Sequence, residues 1–182
     1  MSGGRSTVRM AEAVAETLRE HGVEAIVIGA IALAAHGYVR YTDDIDLGVN
    51  ADVATLRVLA AELRRAGFAA ELREPDAEDP LGGVIDVFGP AGLVQIISYA
   101  DRFPAVIDEA LAQSTLVVHA GSALRIVPVP HLIALKLYAG GFKSKGDIVE
   151  LIRCNPQLDL NEVRDLCQRY RLPDMEDLLR DL

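Results

Sequence analysis

The strongest constraint on what this chain can fold into is a short run in which four local signals follow one another without slack. EAIVIGA, residues 24–30, is an unbroken β-branched and aliphatic stretch that reads as a buried strand closed by Gly29. IALAAHG then reads as a short helix stopped by Gly37, and YVRYTD as a loop. DIDLGV follows as a second strand, opening on Asp44-Ile45-Asp46. Side chains alternate along a strand, so Asp44 and Asp46 share one face while Ile45 and Leu47 turn to the core. Strand, glycine turn, short helix and strand together demand a sheet with helices packed on it.

The remaining segments extend that architecture. Ser6 or Thr7 is placed to cap a first helix running to about His21, with Val8, Ala11, Val14, Ala15 and Leu18 on one face and Gly22 as its stop. Asp52 caps a helix over 53–67 whose outer face carries Arg57, Arg64 and Arg65; FAAELRE is a third strand and EPDAEDPLGG an acidic loop. VIDVF-GPAG-LVQIISY reads as a β-hairpin, with Pro90 and two glycines supplying the turn. Residues 101–112 read as a helix, and TLVVHAGSALRIVPV as a second short hairpin. From Pro130 onward the pattern is helical: 130–139, 146–153, a helix capped by Asp159 with Glu162 three residues on, and a terminal turn. The expectation is a mixed rather than purely parallel sheet flanked by helices, with an α/β core over 1–129 and a C-terminal helical segment over 130–182 packed on it.

At 182 residues the chain is the size of one domain and buries enough surface to fold without disulfides or a structural metal. Cys154 and Cys167 form no C-x-x-C pair and have no histidine at zinc-ligand spacing, so they read as buried or semi-buried free thiols in a reducing cytosol. No apolar window reaches the ~18 residues of a membrane span, and the N-terminus lacks the apolar core of a signal peptide. The expected location is the cytoplasm, without membrane contact. The 27 acidic against 18 basic residues give a net charge of -9, the wrong sign for a general duplex-DNA binder.

The chemistry resides in the acid pair. Two carboxylates one pleat apart with no cation between them repel, an arrangement that suits a hard divalent cation across them. The helix that opens at Gly29-Ala30 offers free backbone N–H groups to a phosphate. Acid-x-acid alone is weak, since 27 acids in 182 residues give on the order of 4 such pairs by chance. The order of elements around this pair is what raises it above that background.

VIGAIALAAHGYVRYTDDIDLGV resembles the signature of the nucleotidyltransferase superfamily, a glycine-containing turn followed by Asp-hydrophobic-Asp. The wording Arg40-x-Thr42-x-Asp44-Ile45-Asp46-Leu47 is similar to the AbiEii-like and minimal nucleotidyltransferase branches. PVPHLIALKLYAGGFKSKGDIVELI resembles the later motif of that group, a helix bearing Lys136 followed by one bearing Asp147. The resemblance implies a nucleotidyltransferase-like mixed sheet and transfer of a nucleoside monophosphate from an NTP to a hydroxyl on RNA, a protein or a small molecule. It implies Mg²⁺, two ions, held by Asp44 and Asp46. Gly29 and Ala30 would form the triphosphate turn, with Arg40 and Thr42 in the nucleotide site, Lys136 on phosphate, and Asp147 as an active-site acid. Several members are toxins of toxin–antitoxin systems, so a cognate antitoxin is an expected partner.

The third carboxylate of the family falls where this chain has Gln95. If the GPAG turn pairs Phe88 with Leu93, Asp86 faces Gln95 across the hairpin on one sheet face. Either Asp86 supplies the third metal-binding acid, or the alignment register is shifted, or the third acid is absent. The last case leads to a rival reading: a catalytically silent protein that binds nucleotide or a partner. An acidic interaction module without a nucleotide site is the third class. Lys136, Lys143 and Lys145 fall in a window without acids, the one basic surface for an anionic substrate. His36 and His21 read as helix-end residues, and His119 and His131 have no identifiable partner.

Overall fold

The computed structural model describes residues 3–76, 81–172 and 175–180. The chain runs α1 (Gly3–Glu20), β1 (Ala25–Ile28), α2 (Gly29–Ala35), β2 (Asp44–Val49), α3 (Val53–Arg65), β3 (Ala69–Arg73), β4 (Val84–Gly89), β5 (Gly92–Ser98), α4 (Pro104–Gln113), β6 (Arg125–Ile126), α5 (Val129–Ala139), α6 (Gly141–Cys154), α7 (Leu160–Arg169) and α8 (Met175–Arg180). Six strands form one sheet in the order β3-β4-β5-β2-β1-β6. It is mixed: β2 lies antiparallel to β1 and parallel to β5, β4 is antiparallel to both β3 and β5, and β6 runs parallel to β1.

The two faces of the sheet differ in cover. Ile45, Leu47 and Val49 of β2, Val94 and Ile96 of β5, and Ile85 and Val87 of β4 are buried under the apolar stripes of α1 (Ala11, Val14, Leu18) and α3 (Leu56, Leu59, Leu63). On the other face α4 closes over the far end of β2. A Cβ at Gly48 would lie 2.8 Å from Ile107 Cδ1, so the absence of a side chain is what lets α4 pack so close. The near end of that face, where Asp44 and Asp46 stand, is left open.

Local chemistry explains most boundaries. Asp52 caps α3 by accepting from Thr55 N at 2.7 Å, and Asp159 caps α7 by accepting from Asn161 N at 2.8 Å. The β4–β5 hairpin has the expected register, Phe88 opposite Leu93 and Asp86 opposite Gln95.

Five expectations need correction. Helix α1 already runs at Gly3, so neither Ser6 nor Thr7 caps it; Thr7 is buried and its hydroxyl donates to Ala91 O in the hairpin turn. Helix α4 begins at Pro104 rather than 101, because Asp101 takes φ 62°, outside the helical region. Helix α6 starts at Gly141 and runs through Gly146. The second hairpin shrinks to the bridge Val117–Arg125, since Arg125 and Ile126 pair with β1 instead. Cys154 is exposed, whereas Cys167 is buried and its thiol is pushed up to about 11 by burial. Residues 77–80 of the expected acidic loop lie outside the described residues. Among the described residues no helix is long and apolar enough to cross a membrane.

Candidate active site

The site is built where β1 gives way to α2. Ile28 pairs with Asp46 across the β1–β2 ladder, and the next residue, Gly29, turns the chain with φ +65°. A Cβ at Gly29 would stand 1.8 Å from Asp46 Oδ2, so the carboxylate lies directly over the turn. Glycine is required there twice, for the left-handed backbone and for the close approach. The first turn of α2 follows with no side-chain cap on its N–H groups, and Ala30 is buried beside it.

Asp44 and Asp46 share the face that the alternation of β2 dictates, and both border a cleft of about 830 Å³. Arg40, Thr42, Gln95 and Lys143 border the same cleft. Thr42 donates its hydroxyl to the Asp44 carboxylate, which gives it a positioning contact two residues away. Asp46 is pushed up from 3.8 to about 6, first by burial and then by the charge of Asp44, against the pull of Lys136, Arg40 and Lys143. A repelling, desolvated pair of oxygen ligands fits a hard divalent cation.

The opposite wall, to which Arg40 and Lys143 contribute, is basic and is backed by a charged cluster on α5 and α6. Asp147 on α6 is 3% exposed and is held by two cations, Lys136 Nζ at 2.6 Å and Arg40 Nε at 3.6 Å. Asp147 therefore joins the cation cluster rather than the carboxylate pair, and Lys136 and Arg40 face an acid of their own before they face any ligand. Arg40 Nε is buried and makes no hydrogen bond among the described residues. Lys136 borders a neighbouring hollow of about 250 Å³, with Gly140, Gly141, Phe142 and Lys145, rather than the cleft itself. Tyr41 and Phe142, on or beside the lining of these two spaces, are 83% and 97% exposed, a rim that charge and motif reading passes over.

The expected third acid does not join the pair. Asp86 sits on β4, with β5 between it and β2, about 10 Å of strand spacing from Asp46. Arg73 grips it with Nε at 2.7 Å and Nη2 at 3.2 Å, and Gln95 Nε2 donates to its Oδ1 at 2.6 Å. Burial raises its pKa, but the hydrogen bonds from Arg73 and Gln95 outweigh that and leave it below the usual carboxylate value. Among the described residues no three His, Cys, Asp or Glu side chains are grouped so as to hold a metal ion. Arg73 is the residue that sequence reasoning missed. It lies diagonally across the β3–β4 ladder, where Glu71 is the direct partner of Asp86. Aligning the register of β3 would have found it.

The histidines stay outside the cleft. His36 Nε2 lies 2.7 Å from Val127 O, and Asn155 Nδ2 donates to His36 O at 2.9 Å, so His36 ties helix ends together. His21 contacts Thr17 O and His119 contacts Glu12. His131 is buried, with Nε2 3.8 Å from Glu109.

No family model and no curated protein sequence matches the chain. Solved structures do. The antibiotic-resistance factor ANT(2'')-Ia in solution is 18% identical, covers 92% of each chain and gives a TM-score of 0.55. The crystal structure of ANT(2'')-Ia in complex with adenylyl-2''-tobramycin is 19% identical over 91% of this chain and 97% of that one, at 0.57. An antigenic nucleotidyltransferase-like protein from Paracoccidioides brasiliensis is 17% identical over 94% and 91%, at 0.52. The chain has the nucleotidyltransferase-like fold.

Proposed function

We propose that the chain is a nucleotidyltransferase that moves a nucleoside monophosphate from an NTP to a hydroxyl acceptor. One observation carries this reading: the Asp46 carboxylate, repelled by Asp44, lies over the glycine turn of a cleft whose far wall is basic. Asp44 and Asp46 hold divalent cations, Mg²⁺ in a pair, which supply Lewis-acid polarisation of the phosphate oxygens. The Gly29–Ala30 backbone receives the triphosphate, with Thr42 fixing Asp44. Arg40, Lys136 and Lys143 offset phosphate charge, and Asp147 holds the first two of these in place. In the transfer the acceptor oxygen bonds to the α-phosphorus and the bridging P–O bond breaks. Pyrophosphate leaves with the electron pair, and the hydroxyl proton passes to water.

The acceptor classes are a hydroxyl on RNA, a protein or a small molecule. ANT(2'')-Ia, which shares the fold, is held in complex with adenylyl-2''-tobramycin, and this supports keeping the small-molecule class. The AbiEii-like assignment, with a cognate antitoxin as partner, rests on the Arg40-to-Leu47 wording; the cytoplasm as location is supported by the two free thiols, Cys154 and Cys167. A second reading has its own observation. Both Asp86 oxygens are engaged by Arg73 and Gln95, which favours a silent nucleotide-binding protein.

Incubation with labelled NTPs, Mg²⁺ and a cell extract separates the two. Label appearing on RNA, protein or a small molecule with the wild type and lost with Asp44→Ala is the expected result. Identical labelling by the two proteins, or none by either, overturns the enzyme reading.

A further inference from the structure

Across the open face of the sheet, Asp46, Gln95 and Asp86 stand in one row, paired residue to residue on β2, β5 and β4. Gln95 is thus the side chain between the metal-binding acid and the acid that does not reach it. Its amide has a defined sense. Asp86 is clamped by Arg73 through two N–H groups and is ionised in that pairing, so it can only accept. The end of the Gln95 amide that faces it is therefore the NH₂, donating at 2.6 Å. A flipped amide would set two acceptors against each other at that distance. The carbonyl end, Oε1, is not the end that meets Asp86, and among the described residues it accepts no hydrogen bond. Gln95 borders the same cleft as Asp44 and Asp46.

We propose that Gln95 Oε1 is the third oxygen ligand of the Asp44–Asp46 site, a neutral replacement for a carboxylate, with Asp86 and Arg73 as the positioning residues that fix its orientation. Hard divalent cations accept amide carbonyl oxygens beside carboxylates in mixed oxygen sets, a neutral oxygen holding the ion less tightly than a charged one. Substitution of the groups that orient a ligand costs about 10–100-fold in metal affinity. The neutral oxygen has a consequence for chemistry: it can orient an incoming hydroxyl by accepting its hydrogen, but it is a poor base. Asp86 and Gln95 thereby acquire linked roles, which the three-acid expectation did not contain. The inference rests on the nucleotidyltransferase reading, since it takes Asp44 and Asp46 as cation ligands.

The test is Mn²⁺ affinity of the full chain, read from the free-ion resonance signal, with an NTP analogue whose α–β bridge is a methylene. Gln95→Met keeps the length of the side chain and removes the oxygen; about 10-fold weaker Mn²⁺ binding is expected. Asp86→Asn offers both donor and acceptor to the amide, frees it to flip, and is expected to weaken binding by a similar factor. The exchange Asp86→Asn with Gln95→Glu keeps the hydrogen bond and makes the third oxygen charged, so binding should tighten beyond wild type. It also serves if Gln95→Met fails to fold, a point that circular dichroism decides. Wild-type affinity in folded Gln95→Met, or no gain in the exchanged pair, overturns the role of Gln95. If Asp44→Ala also binds Mn²⁺ as the wild type does, the reading of the whole site falls with it.

Discussion

The two walls of the cleft handle a carboxylate in opposite ways. On the helical wall Asp147 is buried in contact with two cations, Lys136 and Arg40. On the sheet wall Asp46 has the same cations only at a distance, has Asp44 beside it, and is pushed up to about 6 by burial and that neighbour. One wall is internally neutralised and the other holds unrelieved charge. Burial alone does not distinguish them; what differs is whether a cation touches the oxygen. A site that recruits a divalent ion needs the second kind of wall, and a site that meets phosphate needs cations kept in place by the first.

The largest expected effect tests the helical wall. Asp147→Asn leaves Lys136 and Arg40 without their buried counter-ion, and removing one partner of a buried pair costs about 3–5 kcal/mol. Urea unfolding should show that loss. The double variant Asp147→Leu with Lys136→Met removes both charges of the closest contact and should recover much of it. A single variant within about 1 kcal/mol of wild type would mean that the cluster is solvated, and the contrast between the walls would fail.

The sheet wall should respond with the opposite sign. The Asp46 carboxyl ionises near 3.8 when unexceptional and near 6 in the fold, so the folded state binds the proton more tightly. Its ionisation therefore costs the fold nothing below the lower value, an increasing amount between the two, and the full penalty above the higher one. A difference of that size corresponds to about 3 kcal/mol. With a chelator present, Asp46→Asn should stabilise the protein at pH 8 by up to that amount and be neutral near pH 3.5. Millimolar Mg²⁺ should then raise the Tm of the wild type and leave that of the variant where it was. A destabilised Asn variant at pH 8 would show that Asp46 already has its counter-ion.

The acid pair was legible because it needs only period-2 alternation and a glycine turn, both local. The hairpin register was legible for the same reason, and it correctly set Asp86 opposite Gln95. What Asp86 does was not, because its fate is decided by Arg73, thirteen residues back on another strand. Asp147 shows the same limit: a motif supplies the residue, but only the packing of α5 against α6 turns it toward Lys136. The misplaced starts of α1, α4 and α6 go with three facts that propensity does not encode. Thr7 has a tertiary partner, Asp101 is left-handed, and Gly146 is tolerated inside a helix.

The smallest expected effect concerns Asp86 and measures how far contact with a cation counts at the surface. Arg73 is 59% exposed, unlike the partners of Asp147, so the ion pair is screened by water and salt. Asp86→Asn should cost at most about 1 kcal/mol, and less again at high ionic strength. The pKa of Asp86 is lowered in the fold, so what the pair contributes is present above the unfolded carboxyl value and lost as pH falls through the folded one. Arg73→Ala should show the same small loss, with no further loss in the double variant. A cost approaching that of Asp147→Asn would show that the row Arg73–Asp86–Gln95 behaves as a buried unit. The sheet wall would then hold neutralised as well as unrelieved carboxylate, and the difference between the walls would lie in Asp44 and Asp46 alone.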